Sequence, residues 1–290
     1  MHWLPLTLIC AFSLASADAA TKRWLQGYSA RELALIRFGL TGLLMTPLLL
    51  ARPLPPLPVE FWCWIAALLP LEIIAMLLYM RAIRDHPLSL TLPYLAFTPV
   101  FVTVTGWLLL GERVSPLGFG GILLVVLGAW ALNLEPGGLA DWRRLHAPLG
   151  AIARNKGSRL MLLAAMLYSL TSVGGKGAMQ YMPPAQFGPF YFSILGLTTL
   201  ALFSIHQPGI IRVIWRRPGP TLLVGVLMGL MVVTHFIALQ QVETAYMIAV
   251  KRTSLLFGIL YGALLFHEKG LTLHFIAGGL MVAGVILIAL

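Results

Sequence analysis

Two adjacent cations, Lys251 and Arg252, stand inside a long apolar run, and Asp18, Arg37, Glu72 and Lys176 interrupt others. A charge at the centre of a membrane helix costs at least about 2.5–3.5 kcal/mol, so such residues face a cavity or a partner. Arginine presents a planar fork of donors suited to carboxylate or phosphate, and lysine a compact point charge. Neighbouring helical residues point about 100° apart, so one salt bridge does not hide both members of the Lys251–Arg252 pair. The pair is read as the binding site for an anionic group, with Lys176 and His235 in support. The alternative is structural pairing with Glu72 or Glu243.

The other charges carry two readings each. Arg37 is one turn into its run and Lys176 near the end of its own, so each either snorkels to the interface or pairs structurally. Asp18 and Glu72 are read as coupling or counter-ion groups. Asp18 alternatively neutralises Lys22 or a neighbouring helix. Glu72, two residues after Pro70, serves either in proton coupling or as the counter-ion of Lys251 or Arg252. His235, with Gln240 and Gln241 nearby, offers hydrogen bonds to a polar cargo, or is simply a satisfied core histidine.

The elements that must position these residues are membrane helices. Hydrophobic residues make up 59% of the chain and charged residues 10%, against about a quarter charged in a soluble domain. Apolar spans of bilayer length fall at Trp3–Ala20, Leu33–Leu50, Phe61–Met80, Leu88–Leu110 and Pro116–Leu134. Five more follow at Leu160–Gln180, Phe187–Ile205, Leu222–Leu239, Ala245–Phe266 and Leu271–Leu290. Phe101–Gly128 laid on Phe257–Gly284, an offset of 156, leaves ten of 28 positions identical, among them Gly106/Gly262, Glu112/Glu268, Phe119/Phe275 and Gly128/Gly284. Internal repeats of this kind govern the whole fold. Five spans per copy put the second copy in the membrane with opposite orientation, an architecture that places a transport site near the midplane between the copies. The expected fold is therefore an all-α membrane protein of ten transmembrane helices, arranged as two inverted five-helix repeats. Residues 1–134 form the first repeat, 135–159 a basic inter-repeat loop, and 160–290 the second repeat.

Pro93-Tyr94, Leu109-Leu110-Gly111-Glu112-Arg113, Gly120-Gly121 and Leu127-Gly128, with the second copy at Leu264-Leu265-Phe266-His267-Glu268-Lys269, Gly278-Gly279 and Gly284, resemble the EamA repeat of the drug/metabolite transporter superfamily. The resemblance covers essentially the whole chain. It implies ten helices, two repeats and movement of a small metabolite, and it leaves the cargo open among amino acids, nucleotide sugars, sugar phosphates and drugs. The Lys251–Arg252 pair is also similar to the phosphate-binding pair of the triose-phosphate and related sugar-phosphate translocators. That family adds a lysine in the fourth helix; this chain offers Tyr94 and threonines there. Glu112 is read as a helix-end residue at the membrane surface beside Arg113.

Other chemistry falls away on spacing. His267-Glu268 lacks the second histidine of a zinc protease, since position 271 is Leu271. Gly174-Gly175-Lys176 lacks the remainder of a phosphate loop. Cys10 and Cys63 show no paired spacing for a metal or disulfide. A lipid-processing enzyme or a non-transport membrane subunit is the rival class, and the nucleophile–base set or Gly-x-Ser-x-Gly that such an enzyme needs does not appear. No cofactor is expected. Ala15-Ser16-Ala17 resembles a signal-peptidase site, but no Lys or Arg precedes it, and Ser13, Leu14 and Ser16 match Ser169, Leu170 and Ser172, so the first span is retained as a helix. Pro93 and Pro99 open backbone carbonyls in the fourth span, for a gating bend or a static kink. Gly225/Gly229 and Gly258/Gly262 suit helix packing within the chain, with a homodimer as the alternative.

The formal charge of +10 is unevenly placed. The connections after odd-numbered spans hold fourteen Lys and Arg, and those after even-numbered spans hold only Arg52 and Arg113. This bias places the odd connections in the cytoplasm and both termini outside, whereas members of the resembling family usually keep both termini inside. The basic loops fit contacts with anionic membrane lipid; nucleic acid is not an expected partner. The reading is a multi-pass protein of the inner (plasma) membrane that binds a small-molecule substrate. A topology reporter fused to either terminus is expected to read as external; a cytoplasmic signal overturns the charge reading.

Overall fold

The structure is a computed structural model that describes residues 2–51, 53–86, 94–131, 155–266 and 271–290. Among these residues every regular element is helical. Helix α1 covers Trp3–Trp24, and α2 (Ala30–Leu35) runs through a π-helical turn at Ile36–Leu40 into α3 (Thr41–Leu50). Then come α4 (Val59–Asp85), α5 (Thr98–Leu110) and α6 (Pro116–Ala131). The second half holds α7 (Lys156–Ala178), α8 (Pro184–His206), α9 (Pro218–Leu239), α10 (Thr244–Lys251), α11 (Ser254–Phe266) and α12 (Leu271–Ala289). Six spans are long and apolar enough to cross a membrane: α1, the α2–α3 rod (Ala30–Leu50), α4, α7 with its 3₁₀ extension to Tyr181, α8 and α9. Thr98–Leu110, Pro116–Ala131 and Ile276–Ala289 are shorter apolar helices.

Local sequence accounts for several boundaries. Ser29 and Glu32 close a capping box that starts α2, satisfying two amide donors at once. Asn155 accepts from the Gly157 amide and starts α7 at Lys156, earlier than the expected Leu160. The remainder of the inter-repeat loop, and residues 88–93 of the fourth span, lie outside the described residues. Gly111, at φ 67°, ends α5 in the left-handed conformation that glycine tolerates. Pro70 lies inside α4, which nevertheless continues to Asp85.

The helix pairings repeat with the sequence. The most extensive are α6 with α12, α1 with α9 and α4 with α7. Moving each partner by the repeat offset turns α1–α9 into α7–α4 and maps α6–α12 onto itself. Glycines set the closest approaches. A Cβ on Gly121 would lie 2.7 Å from the Gly284 carbonyl, and one on Gly128 2.7 Å from the Ala277 carbonyl. Gly121 meets the end of α12 and Gly128 its middle, so these two equivalent helices run antiparallel. On the α3–α8 pair, Gly42 abuts Phe192 and Gly196 abuts Phe38, again with antiparallel register. Gly225 packs on Leu40 and Leu44, and Gly229 on Met45, so that glycine pair serves contacts within the chain.

The interior is aromatic and aliphatic, with Phe38, Phe61 and Phe187 almost fully buried, while Leu43, Trp107 and Leu197 stand more than half exposed on the outside. Apolar surface on that scale belongs against lipid. Because added volume at a backbone-to-backbone contact forces the helices apart, Gly121→Val is expected to destabilise the protein by about 1–3 kcal/mol. Thermal unfolding in detergent measures this; an unchanged melting temperature overturns the close packing of α6 on α12.

Candidate functional site: a polar cluster between the halves

The ninth span does not run through as one helix. It stops at Lys251, turns at Arg252–Thr253 and restarts at Ser254. The Thr253 amide bonds to the Val250 carbonyl at 3.0 Å and the Leu256 amide to the Thr253 carbonyl at 2.9 Å, tighter i→i+3 links than an α-helix makes. The first repeat breaks at the matching place. There the Phe97 amide bonds to the Tyr94 carbonyl at 3.3 Å and the Val100 amide to the Phe97 carbonyl at 3.0 Å. Pro99 supplies a cause in that copy by removing a donor, and the Thr98 hydroxyl takes the Leu95 carbonyl at 2.6 Å instead. The equivalents of Lys251 and Arg252 are Leu95 and Ala96. The backbone break is thus common to both copies and the charge belongs to one.

At this break Lys251 Nζ lies 3.4 Å from His235 Nδ1 and 3.6 Å from the Met231 sulfur. The ammonium can only donate, so Nδ1 is the acceptor there. Arg252 is 7% exposed, and its Nε has no hydrogen-bond partner. Among the described residues neither cation has a carboxylate within salt-bridge distance. Glu72 is in electrostatic reach of Lys251, with the Thr171 hydroxyl beside its carboxylate. Tyr79 and Tyr168 lie near enough to interact with the guanidinium groups of both Arg37 and Arg252. Lys251 and Glu72 are both only partly buried.

Arg37 and Asp18 form a closed pair. The guanidinium donates to Asp18 Oδ1 and, at 3.3 Å, to the Thr21 hydroxyl. Arg37 is 2% exposed and sits on the π turn, where one extra residue re-aims the side chain. Pairing rather than snorkelling therefore describes Arg37, and Asp18 is its counter-ion. With that pair neutral, Lys251, Arg252 and Glu72 leave the cluster one positive charge in excess.

Lys176 and Tyr94 are elsewhere. Lys176 Nζ donates to Glu112 Oε1 at 2.6 Å and to the Val242 carbonyl at 2.5 Å. Glu112 also accepts from the Thr244 amide at 3.0 Å and the Thr244 hydroxyl at 2.9 Å. Glu243, the residue preceding α10, makes no side-chain cap, so an acid from the first half caps a second-half helix and favours its positive end. Gly111 makes this possible by turning the chain back at the end of α5. Next to it, Tyr246 accepts from the Ser115 amide at 2.8 Å. Glu112 is thus a bolt between the halves rather than a surface partner of Arg113. Tyr94 packs edge-on against Trp130 at 5.9 Å and interacts with Ser158. Ser158 and Thr171 are separated by roughly 20 Å along α7 at about 1.5 Å per residue, which sets Tyr94 apart from Lys251. Leu110-Gly111-Glu112 carried a visible signal for the turn, but the partners at 176 and 244 are too distant in sequence to be read from it.

Glu112→Ala leaves the Thr244 amide and Lys176 without their acceptor and is expected to cost about 1–3 kcal/mol. In a double-mutant cycle with Lys176→Met, read by thermal unfolding, the two changes are expected to be non-additive by at least about 0.5 kcal/mol. Additive losses overturn the shared contact.

The model of the EamA-like transporter family matches residues 1–134 and 155–290. Among curated proteins none matches the chain. The fold is similar to that of a protein of known crystal structure, with a TM-score of 0.72 and 17% identity over 99% of this chain and 96% of the other. At that identity the likeness speaks for the fold alone.

Proposed function

The chain belongs to the EamA-like transporter family, and on that premise we propose that it is a secondary transporter of a small anionic metabolite, working by alternating access in the inner (plasma) membrane. Membership makes it a multi-pass membrane transporter of small molecules. The ten-helix count takes the two broken rods, Tyr94–Leu110 and α10–α11, as one span each. The antiparallel pairing of α6 with α12 and of α3 with α8 supports inversion of the second repeat.

The observation that carries the anionic reading is Arg252: a guanidinium nine-tenths buried, beside a second cation, with no carboxylate within salt-bridge distance among the described residues. A buried unpaired charge is costly, and an incoming carboxylate or phosphoryl group supplies the missing acceptor. In this arrangement Arg252 takes the anion through its fork, Lys251 adds a point charge, and His235 holds the ammonium in place from the other side. Glu72 faces Lys251 as the counter-ion that the anion displaces. Lys176 acts on the site indirectly, through Glu112 and the start of α10.

An amino acid or other zwitterion is the second reading, favoured by Glu72, whose carboxylate stands free of any salt bridge among the described residues. Ligand-induced thermal stabilisation separates the two. Phosphorylated and carboxylate compounds are expected to raise the melting temperature, and Lys251→Ala and Arg252→Ala each to abolish the rise. Stabilisation by zwitterions alone, abolished by Glu72→Gln, supports the second reading. A rise given only by cations or neutral compounds, untouched by these substitutions, removes the anion site.

A further inference from the structure

At the end of the bundle away from the Glu112 bolt, the α8–α9 connection folds against the start of α2. Gly209, at φ 81°, turns the chain into a 3₁₀ helix at Ile210–Trp215. Ile210 and Val213 are buried beneath it, while Ile211 and Trp215 stay exposed. Arg216 donates to Glu32 Oε1 at 2.7 Å and lies 5.5 Å above the Tyr28 ring. Arg217 donates to the Trp24 carbonyl at 2.6 Å. Between these contacts lies a cleft of about 170 Å³ whose polar lining is Glu32, Gln207, Arg212 and Arg216.

The charge of this cleft is not balanced. Glu32 is already satisfied by Arg216 and by the Ser29 amide at 2.7 Å. The Arg212 side chain has no hydrogen bond or ion pair among the described residues, so one positive charge of the lining is left over. The Tyr28 hydroxyl beneath Arg216 is buried and without a partner. Around the rim the exposed side chains are apolar: Ile205 at 76%, Trp215 at 74% and Trp24 at 41%. Tryptophans of this kind settle at the head-group level of a bilayer, and basic clusters beside membrane helices attract anionic head groups.

We propose that this cleft is a lipid site, holding the phosphodiester of an anionic phospholipid between Arg212 and Arg216 with its acyl chains along Ile211, Trp215 and Ile205. A monoanionic phosphodiester matches the single excess charge. A free phosphate would satisfy the two guanidinium groups equally well, but it would leave the apolar rim uncovered; the lipid accounts for both.

The test is thermal unfolding in nanodiscs of phosphatidylcholine with and without phosphatidylglycerol. Phosphatidylglycerol is expected to raise the melting temperature by roughly 2–4 °C. Arg212→Gln is expected to remove that rise while matching the unsubstituted protein in pure phosphatidylcholine, since the Arg212 side chain is exposed and holds no hydrogen bond or ion pair among the described residues. Arg216→Gln is expected to remove it too, from a lower starting temperature because the Glu32 bond is lost. Three outcomes overturn the proposal: no rise with phosphatidylglycerol, a rise that survives in both variants, or an equal rise when inorganic phosphate is added to phosphatidylcholine discs.

Discussion

Two cations placed side by side in an apolar interior repel each other and lose their hydration, and among the described residues no carboxylate lies within salt-bridge distance of Lys251 or Arg252 to offset that cost. Much of the surrounding structure serves to keep them there. The helix gives way at Arg252–Thr253, His235 and Met231 receive the ammonium, and Tyr79 and Tyr168 lie in electrostatic reach of the guanidinium. The Arg37–Asp18 pair on the neighbouring helices is already neutral, so it adds no net charge of its own. What remains is an interior that holds Lys251, Arg252 and Glu72 without a salt bridge among the described residues, built on helices that the Glu112 bolt and the α6–α12 contact hold in register.

How much of this was legible in the sequence depended on how local the cause was. The repeat was visible because its landmarks act through their own backbone: Gly128 is required by the Ala277 carbonyl that touches it, and Gly121 by Gly284. Gly128 keeps its glycine in the second copy as Gly284, and Gly121 corresponds to Ala277, so small residue types persist at these close contacts. The break in the fourth span was signposted by Pro99. Its counterpart at Arg252–Thr253 carries neither proline nor glycine, and no single-residue signal marks it.

Partner choice was the part that composition and spacing did not carry. Asp18 and Arg37 each showed as a charge in an apolar run, and only the packing of α1 against the π turn joins them. Lys176 read as support for the cargo site because it is a charge inside an apolar span. Its true acceptor, Glu112, lies outside the spans beside Arg113, which looked like the natural partner. Tyr94 was polar and near the fourth-span prolines, yet Trp130 and Ser158 hold it at another level of the bundle. Side-chain type located the ionisable groups; three-dimensional proximity decided which of them neutralise one another.

The bolt between the halves also breaks the equality of the two copies. Were the repeats identical, a rearrangement that exchanged their roles would lead to a state of the same energy, and neither side of the membrane would be favoured. The counterpart of Lys176 in the first repeat is Ala20, which has no charge to offer. At this position the two copies therefore differ by one charge, and the hydrogen-bonded Glu112–Lys176 junction is a contact that Ala20 has no side chain to repeat.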